Sequence, residues 1–237
     1  MDNALCIVLK TADYRDSDKM LTLFAREAGL LSALARGAKN LKNPNAAASQ
    51  PFCCGIFSFT GKNGKLYVNQ CEIKKEFFRL GEDFERYAAA CAMVEAAERI
   101  LTHAVEYERL FVLLANCLVS LEKGLPARFV LAFFFAQVSD ILGVRPATQV
   151  CAMCGKPLRD PDLFYAEEGG AVCRECAAPG KAKSVRPGDL KLLDRMIEAD
   201  PKSLEFMEEF DDGLLRLLHR YLAVAGELDL KSVKFLL

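Results

Sequence analysis

The sequence predicts a chain of mixed class, β first and α after: a small five-stranded barrel, then a helical bundle with a four-cysteine module inserted in it. Three observations carry this. Apolar residues recur at every second position through the first third of the chain, the period of a half-buried strand. Beyond Gly81 they recur at helical spacing. Cys151, Cys154, Cys173 and Cys176 form two Cys-x-x-Cys knuckles within the helical part.

In chain order, Leu5, Ile7 and Leu9 alternate with Cys6, Val8 and Lys10, and Leu21, Leu23 and Ala25 alternate again. A third run follows Gly29 and ends near Gly37. Residues 39–51, polar and with prolines at 44 and 51, read as a loop or a short frayed helix. Residues 52–60 form a fourth strand, with Phe52 and Ile56 on one face and Phe57 and Phe59 on the other. Asn63-Gly64 is a strong hairpin signal, because both central residues of a type I′ turn need positive φ. The fifth strand covers residues 66–78. Five strands at this spacing make a small barrel.

Glu82, Asp83 and Glu85 then crowd the first turn of a helix, where the macrodipole favours anions. Phe84, Tyr87, Ala88, Cys91, Val94 and Ala97 follow helical spacing. A second helix carries Leu110, Leu113, Leu114, Cys117, Leu118 and Leu121 and stops at Gly124. A third, residues 127–142 after Pro126, is apolar nearly all round and belongs at the centre of the bundle. Further helices are expected near residues 190–197 and over Leu214, Leu217, Leu218, Tyr221, Leu222 and Ala225, the last stopped by Gly226. The expected division is 1–80 for the barrel and 81–237 for the helical domain, with the cysteine module at 147–180.

With 237 residues and 52% hydrophobic content the chain can bury an ample core and is not disordered. No basic-then-apolar leader follows Met1, and the most apolar stretch, residues 129–136, is too short to span a bilayer. The expected setting is soluble and intracellular. The formal net charge is −1, but residues 1–80 carry a net of +5 and residues 189–237 a net of −4. A basic module on an acidic body is the asymmetry of a chain with one anion-binding part.

Of ten cysteines, Cys6, Cys53, Cys54, Cys71, Cys91 and Cys117 lie in apolar or strand-like runs and read as small buried hydrophobes. The other four are separated, knuckle to knuckle, by 18 residues, a spacing that can put four thiolates tetrahedrally around one Zn²⁺. A short hairpin around Glu168-Gly169-Gly170 is expected between them. Four thiolates leave no position for water, so the metal would be structural. Two disulfides or a redox pair are the competing readings, and both suit an intracellular chain poorly. A zinc deaminase is disfavoured, since Glu106 rather than a His-x-Glu pattern follows His103, and Val150 stands where that signature has Pro.

Lys10, Arg15, Arg36, Lys39, Lys42, Lys62 and Lys65 are the candidate nucleic-acid contacts within a wider basic set that includes Arg26, Lys74 and Lys75. Lys62 and Lys65 sit on the hairpin that OB barrels use to grip nucleic acid, and Arg36, Lys39 and Lys42 at the end of the third strand and beyond. Such charges track phosphates without reading sequence; the competing reading is a solvated surface. Tyr14, Phe57, Phe59 and Tyr67 are candidate stacking platforms, although aromatics at strand spacing more often belong to a core. With two histidines in no recognisable catalytic context and no phosphate-cradling glycine loop, no enzyme is expected.

The chain resembles the RecO family of bacterial recombination mediators. The resemblance lies in Ile7-Val8-Leu9-Lys10-Thr11 with Tyr14 and Asp18, in residues 21–29, in Ala35-Arg36-Gly37-Ala38-Lys39, in the cysteine quartet, and in Leu230-Lys231-Ser232-Val233-Lys234-Phe235-Leu236. It implies an N-terminal OB fold, a helical domain and, in many members, a zinc module. It further implies binding of single- and double-stranded DNA, annealing of complementary strands, and help in loading RecA on DNA coated with single-strand-binding protein (SSB). The partners it implies are RecR and the C-terminal tail of SSB, and the setting is the bacterial cytoplasm, on the nucleoid during repair. Arg36 and Lys39 best match its DNA-contacting positions. The SSB tail needs a basic, apolar pocket on the helical body, for which Lys123 and Arg128 are the sequence candidates. An RNA-binding OB-fold and zinc-ribbon protein, a zinc enzyme and a protein-binding scaffold remain the alternatives from the residues alone.

Overall fold

The computed structural model describes residues 3–103, 105–177, 179–207 and 209–237. Strands β1 (Asn3–Tyr14), β2 (Asp18–Ala25), β3 (Gly29–Ala35), β4 (Cys54–Lys62) and β5 (Lys65–Lys75) close into a barrel in the order β1-β2-β3-β5-β4. Neighbours are antiparallel except β3 and β5, which run parallel through Ala33–Leu66 and Leu34–Tyr67. A one-turn helix α1 (Asn45–Ala48) bridges β3 and β4. This is the OB arrangement.

The barrel interior holds Cys6, Val8, Leu21, Leu23, Ala33, Ala35, Phe57, Phe59 and Val68. Small cysteines and alanines make room for Phe57 and Phe59, whose rings stack 6.2 Å apart. Residues 6–9 of β1 are buried on both faces, since Ile7 and Leu9 join Phe24 and Phe52 in the core of the helical body. Phe24 meets Phe111 edge to face at 5.3 Å, and burial of such a ring contributes about 2–3 kcal/mol. The barrel is therefore docked on the helices through a continuous apolar seam.

The body consists of α2 (Phe84–Ile100), α3 (Tyr107–Glu122) and α4 (Ala127–Ile141), then α5 (Asp189–Glu198) and α6 (Asp212–Ala225) after the cysteine module. Asp83 caps α2 by accepting from the Arg86 amide at 2.8 Å. Helix α4 packs against α2, α3, α5 and α6, which explains its all-round apolarity. Its one buried amide, Gln137, donates to the carbonyls of Met196, Ile197 and Ala199 at 2.7–2.9 Å, satisfying orphan acceptors at the end of α5. The C-terminal segment returns to α2, where the Glu95 carboxylate accepts from the amides of Lys231 (3.0 Å) and Ser232 (2.8 Å). Among the described residues no helix is long and apolar enough to cross a membrane.

Three expected features shift. The fourth strand starts at Cys54, because Phe52 takes φ +68° and turns its ring into the helical core. The fifth ends at Lys75, and a short 3₁₀ turn, Phe78–Glu82, leads into α2. The hairpin of the cysteine module, β6 (Leu163–Tyr165) with β7 (Gly170–Ala171), gains a third strand, β8 (Lys183–Ser184), on the other edge of β6.

Candidate nucleic-acid interface and metal centre

One end of the barrel is formed by the β1–β2 turn, the loop after β3 and the β4–β5 hairpin. In the hairpin, Asn63 (φ +50°) and Gly64 (φ +72°) take the positive φ expected, so Lys62 and Lys65 face each other across a two-residue turn. In the loop after β3, Gly37 has φ +65° and donates its amide to the Asp18 carboxylate at 2.9 Å. A Cβ at Gly37 would collide with the Asn43 side chain, which donates to the Arg36 carbonyl. This holds Arg36 at the mouth, and its guanidinium lies 4.5 Å from the centroid of the Tyr67 ring.

The Arg15 guanidinium lies 5.4 Å from the centroid of the Tyr14 ring, and Lys65 Nζ reaches the same ring at 6.0 Å. The β1–β2 turn and the β4–β5 hairpin are therefore neighbours. Arg15, Arg36, Lys42, Lys62 and Lys65 are all exposed, and among the described residues none is in an ion pair. Elsewhere on the barrel, Arg26, Lys74 and Lys75 are paired with Glu108, Glu72 and Glu122.

Two of the expected cations are placed differently. Lys39 donates to the Arg15 carbonyl at 2.9 Å and pairs with Asp13 at 3.1 Å, so its ammonium braces one loop against the other. Lys10 stands apart, in a cleft between the barrel and α2 that Glu95 and Glu98 also line. Of the candidate stacking rings, Phe57 and Phe59 are excluded by burial inside the barrel. Tyr14 and Tyr67 are partly exposed at its end.

The cysteine quartet converges. The sulfurs of Cys151, Cys154, Cys173 and Cys176 all lie within 4.8 Å of one another, and the Cys154 and Cys173 sulfurs, one from each knuckle, are 3.9 Å apart. Four sulfurs about 2.3 Å from a shared Zn²⁺ would be about 3.8 Å apart, so the set fits a tetrahedral ion. No pair is at disulfide distance. Burial opposes ionisation of the Cys151 thiol, but the amides of Cys173, Cys154 and Met153 outweigh it and bring the thiol down to about 6. Hydrogen bonding with the Cys173 and Cys154 sulfurs pushes the Cys176 thiol up to about 12. Sulfurs this close cannot all ionise unaided; a divalent cation would let them. The remaining cysteines behave as apolar fillers: Cys6, Cys53 and Cys117 are buried and Cys54, Cys71 and Cys91 half-buried.

The module is tied to the body by Asp194 of α5, which accepts from Thr148 (2.7 Å), Gln149 (3.1 Å) and Arg145 (3.2 Å). Phe164 packs edge to face on Tyr221 of α6 at 5.6 Å. At Gly170, φ +149° and contact with the Ala147 backbone leave no room for a side chain. Between β6, β8 and α6 lies a cleft of about 260 Å³, with Phe164, Ala166, Val185 and Leu217 as its apolar lining. Lys181, Lys183 and Arg216 border it, and among the described residues they are in no ion pair. The sequence reading missed this cleft, because its cations are dispersed along the chain and only β8 brings them together. Arg128 does not supply such a pocket: its guanidinium is held by Asp212 and by Glu85. Lys123 is exposed at the end of α3.

The family model described as "Recombination protein O N terminal" matches residues 1–77, and "Recombination protein O C terminal" matches residues 81–234. The chain belongs to the RecO family. It is 32% identical to the DNA repair protein RecO of Pelotomaculum thermopropionicum, over 97% of this chain and 91% of the relative. It is 29% identical to the RecO of Syntrophus aciditrophicus, over 97% and 92%, and 28% identical to that of Listeria welshimeri, over 100% and 94%. The RecO family is one of DNA repair and recombination proteins.

Proposed function

We propose that this RecO-family chain is a recombination mediator without catalytic chemistry of its own. It binds single- and double-stranded DNA at the barrel end, anneals complementary strands, and with RecR assists RecA loading on SSB-coated DNA. The observation that carries this reading is the set of exposed cations, Arg15, Arg36, Lys42, Lys62 and Lys65, on adjoining loops of an OB barrel, in no ion pair among the described residues. Lys39 serves this face as a brace, and Lys10 lies outside it. Residues 1–80 act as the DNA-binding domain. Residues 81–237 act as the partner-binding domain, with one structural Zn²⁺ on Cys151, Cys154, Cys173 and Cys176 holding the module at 147–180. The cleft bordered by Lys181, Lys183 and Arg216 has the basic rim and apolar floor that the acidic SSB tail requires.

The test is oligonucleotide binding as a function of salt. Wild type should bind DNA with affinity that falls steeply with salt, and Arg36→Glu/Lys65→Glu should lose most of it. Salt-independent binding, or a marked preference for RNA of the same sequence, would overturn the reading in favour of a protein scaffold or an RNA binder.

A further inference from the structure

Resting on that reading of the barrel end, we propose that Tyr14 and Tyr67 are the platforms on which unpaired bases stack. They would thereby give this face a preference for single-stranded over double-stranded DNA. In β5 the side chains alternate, with Leu66 and Val68 packed into the barrel interior and Tyr67 between them on the outer surface. Lys65 precedes it by two residues on the same outer row and reaches Tyr14. On β3, Leu34 is the register partner of Tyr67, and Arg36 continues the outward row to cover that ring. The two rings therefore share one end of the barrel with three cations, while Phe57 and Phe59 are sealed inside.

The cation–ring pairing sets how the face works. A cation over an exposed ring contributes about 0.5–1 kcal/mol, less than the roughly 1–3 kcal/mol of a base stacked on an aromatic side chain. A base can therefore displace the cation from the ring, and the displaced guanidinium or ammonium remains within reach of the adjoining phosphate. A duplex offers no open base face, so it gains only the phosphate contacts.

The experiment compares binding of short oligo(dT) and of a short duplex, at one salt concentration, by wild type, Tyr14→Leu, Tyr67→Leu and the double Phe variant Tyr14→Phe/Tyr67→Phe. Each Leu variant should lose roughly tenfold in affinity for oligo(dT) and keep its duplex affinity, and the double Phe variant should bind both like wild type. The chain has no Trp, so tyrosine emission reports directly. Oligo(dT) should quench it in wild type, and the quench should shrink in the double Phe variant at unchanged affinity. Equal losses on both DNAs, or none on either, would overturn the stacking role. Failure of wild type to bind either DNA would instead overturn the reading of the barrel end on which it rests.

Discussion

The Asp18 carboxylate accepts a 2.9 Å hydrogen bond from the backbone amide of Gly37, tying the start of β2 to the loop that presents Arg36. That amide holds the Asp18 carboxyl below its ordinary value of 3.8, with Ser17, Arg36 and Arg15 adding to the effect. An acidic residue thus supports a basic face by shaping its loop.

Asp18→Ala should therefore weaken DNA binding although it removes a negative charge. It should also lower stability by about 1 kcal/mol in urea unfolding, less than the roughly 1.5–3 kcal/mol of a charge-assisted bond because solvent screens this carboxylate. Because the folded value is depressed, this stability is present above pH 3.8 and is lost as pH falls through the folded value. The stability difference between wild type and Asp18→Ala should vanish in that acid range. A variant that binds DNA more tightly than wild type would contradict the loop's role.

Arg36 and Lys39 should separate in a salt titration. Arg36→Ala should reduce the slope of log affinity against log salt on single-stranded DNA by about 0.7, the value of one lost phosphate contact. Lys39→Met should leave the slope unchanged and lower affinity only through the loosened loop, since its ammonium is held by Asp13 and the Arg15 carbonyl. Equal slope changes would place Lys39 on the phosphates.

X-ray absorption at the zinc edge should show one metal per chain with four sulfur neighbours at about 2.3 Å. Cys176→Ser, or chelation, should unfold the module locally, since metal binding there acts as folding energy of roughly 10 kcal/mol or more. Oligonucleotide binding by the distant barrel should persist. An oxygen neighbour in the spectrum, or loss of DNA binding on chelation, would contradict a purely structural ion.

Lys183→Glu/Arg216→Glu should abolish capture of a peptide with the acidic SSB tail sequence, with affinity for bare oligonucleotides preserved. Zinc removal should have the same effect, because β6 and β8 form one wall of the cleft. Unchanged peptide binding in the double variant would move the tail elsewhere on the body.

The sequence made some of this legible and hid the rest for physical reasons. Asn63-Gly64 was readable because only a turn with two positive φ values selects that pair. Helix α4 was readable because no solvated face interrupts it, and the quartet because its spacing is itself the chemistry. The start of β4 was misplaced because Phe52 is apolar in either setting, and only the helical core across the seam turns it aside. Strand β8 has two residues, too few for any period to show. Lys39 looked like Arg36 in the sequence. Their roles diverge through Asp13 and Arg15, which the barrel places beside Lys39 from more than twenty positions away. In the sequence Phe57 and Phe59 sit at strand spacing just as Tyr14 and Tyr67 do, and burial alone separates the rings inside the barrel from those partly exposed at its end.

The DNA-binding role of the barrel end is tested by annealing of two complementary oligonucleotides precoated with the cognate SSB, by wild type and by Arg36→Glu/Lys65→Glu, in the absence of nucleotide. Wild type should anneal them, and the charge-reversed protein, folded and zinc-loaded, should not. Equal annealing by both would contradict the barrel end as the DNA face, and no annealing by wild type would contradict the mediator function itself.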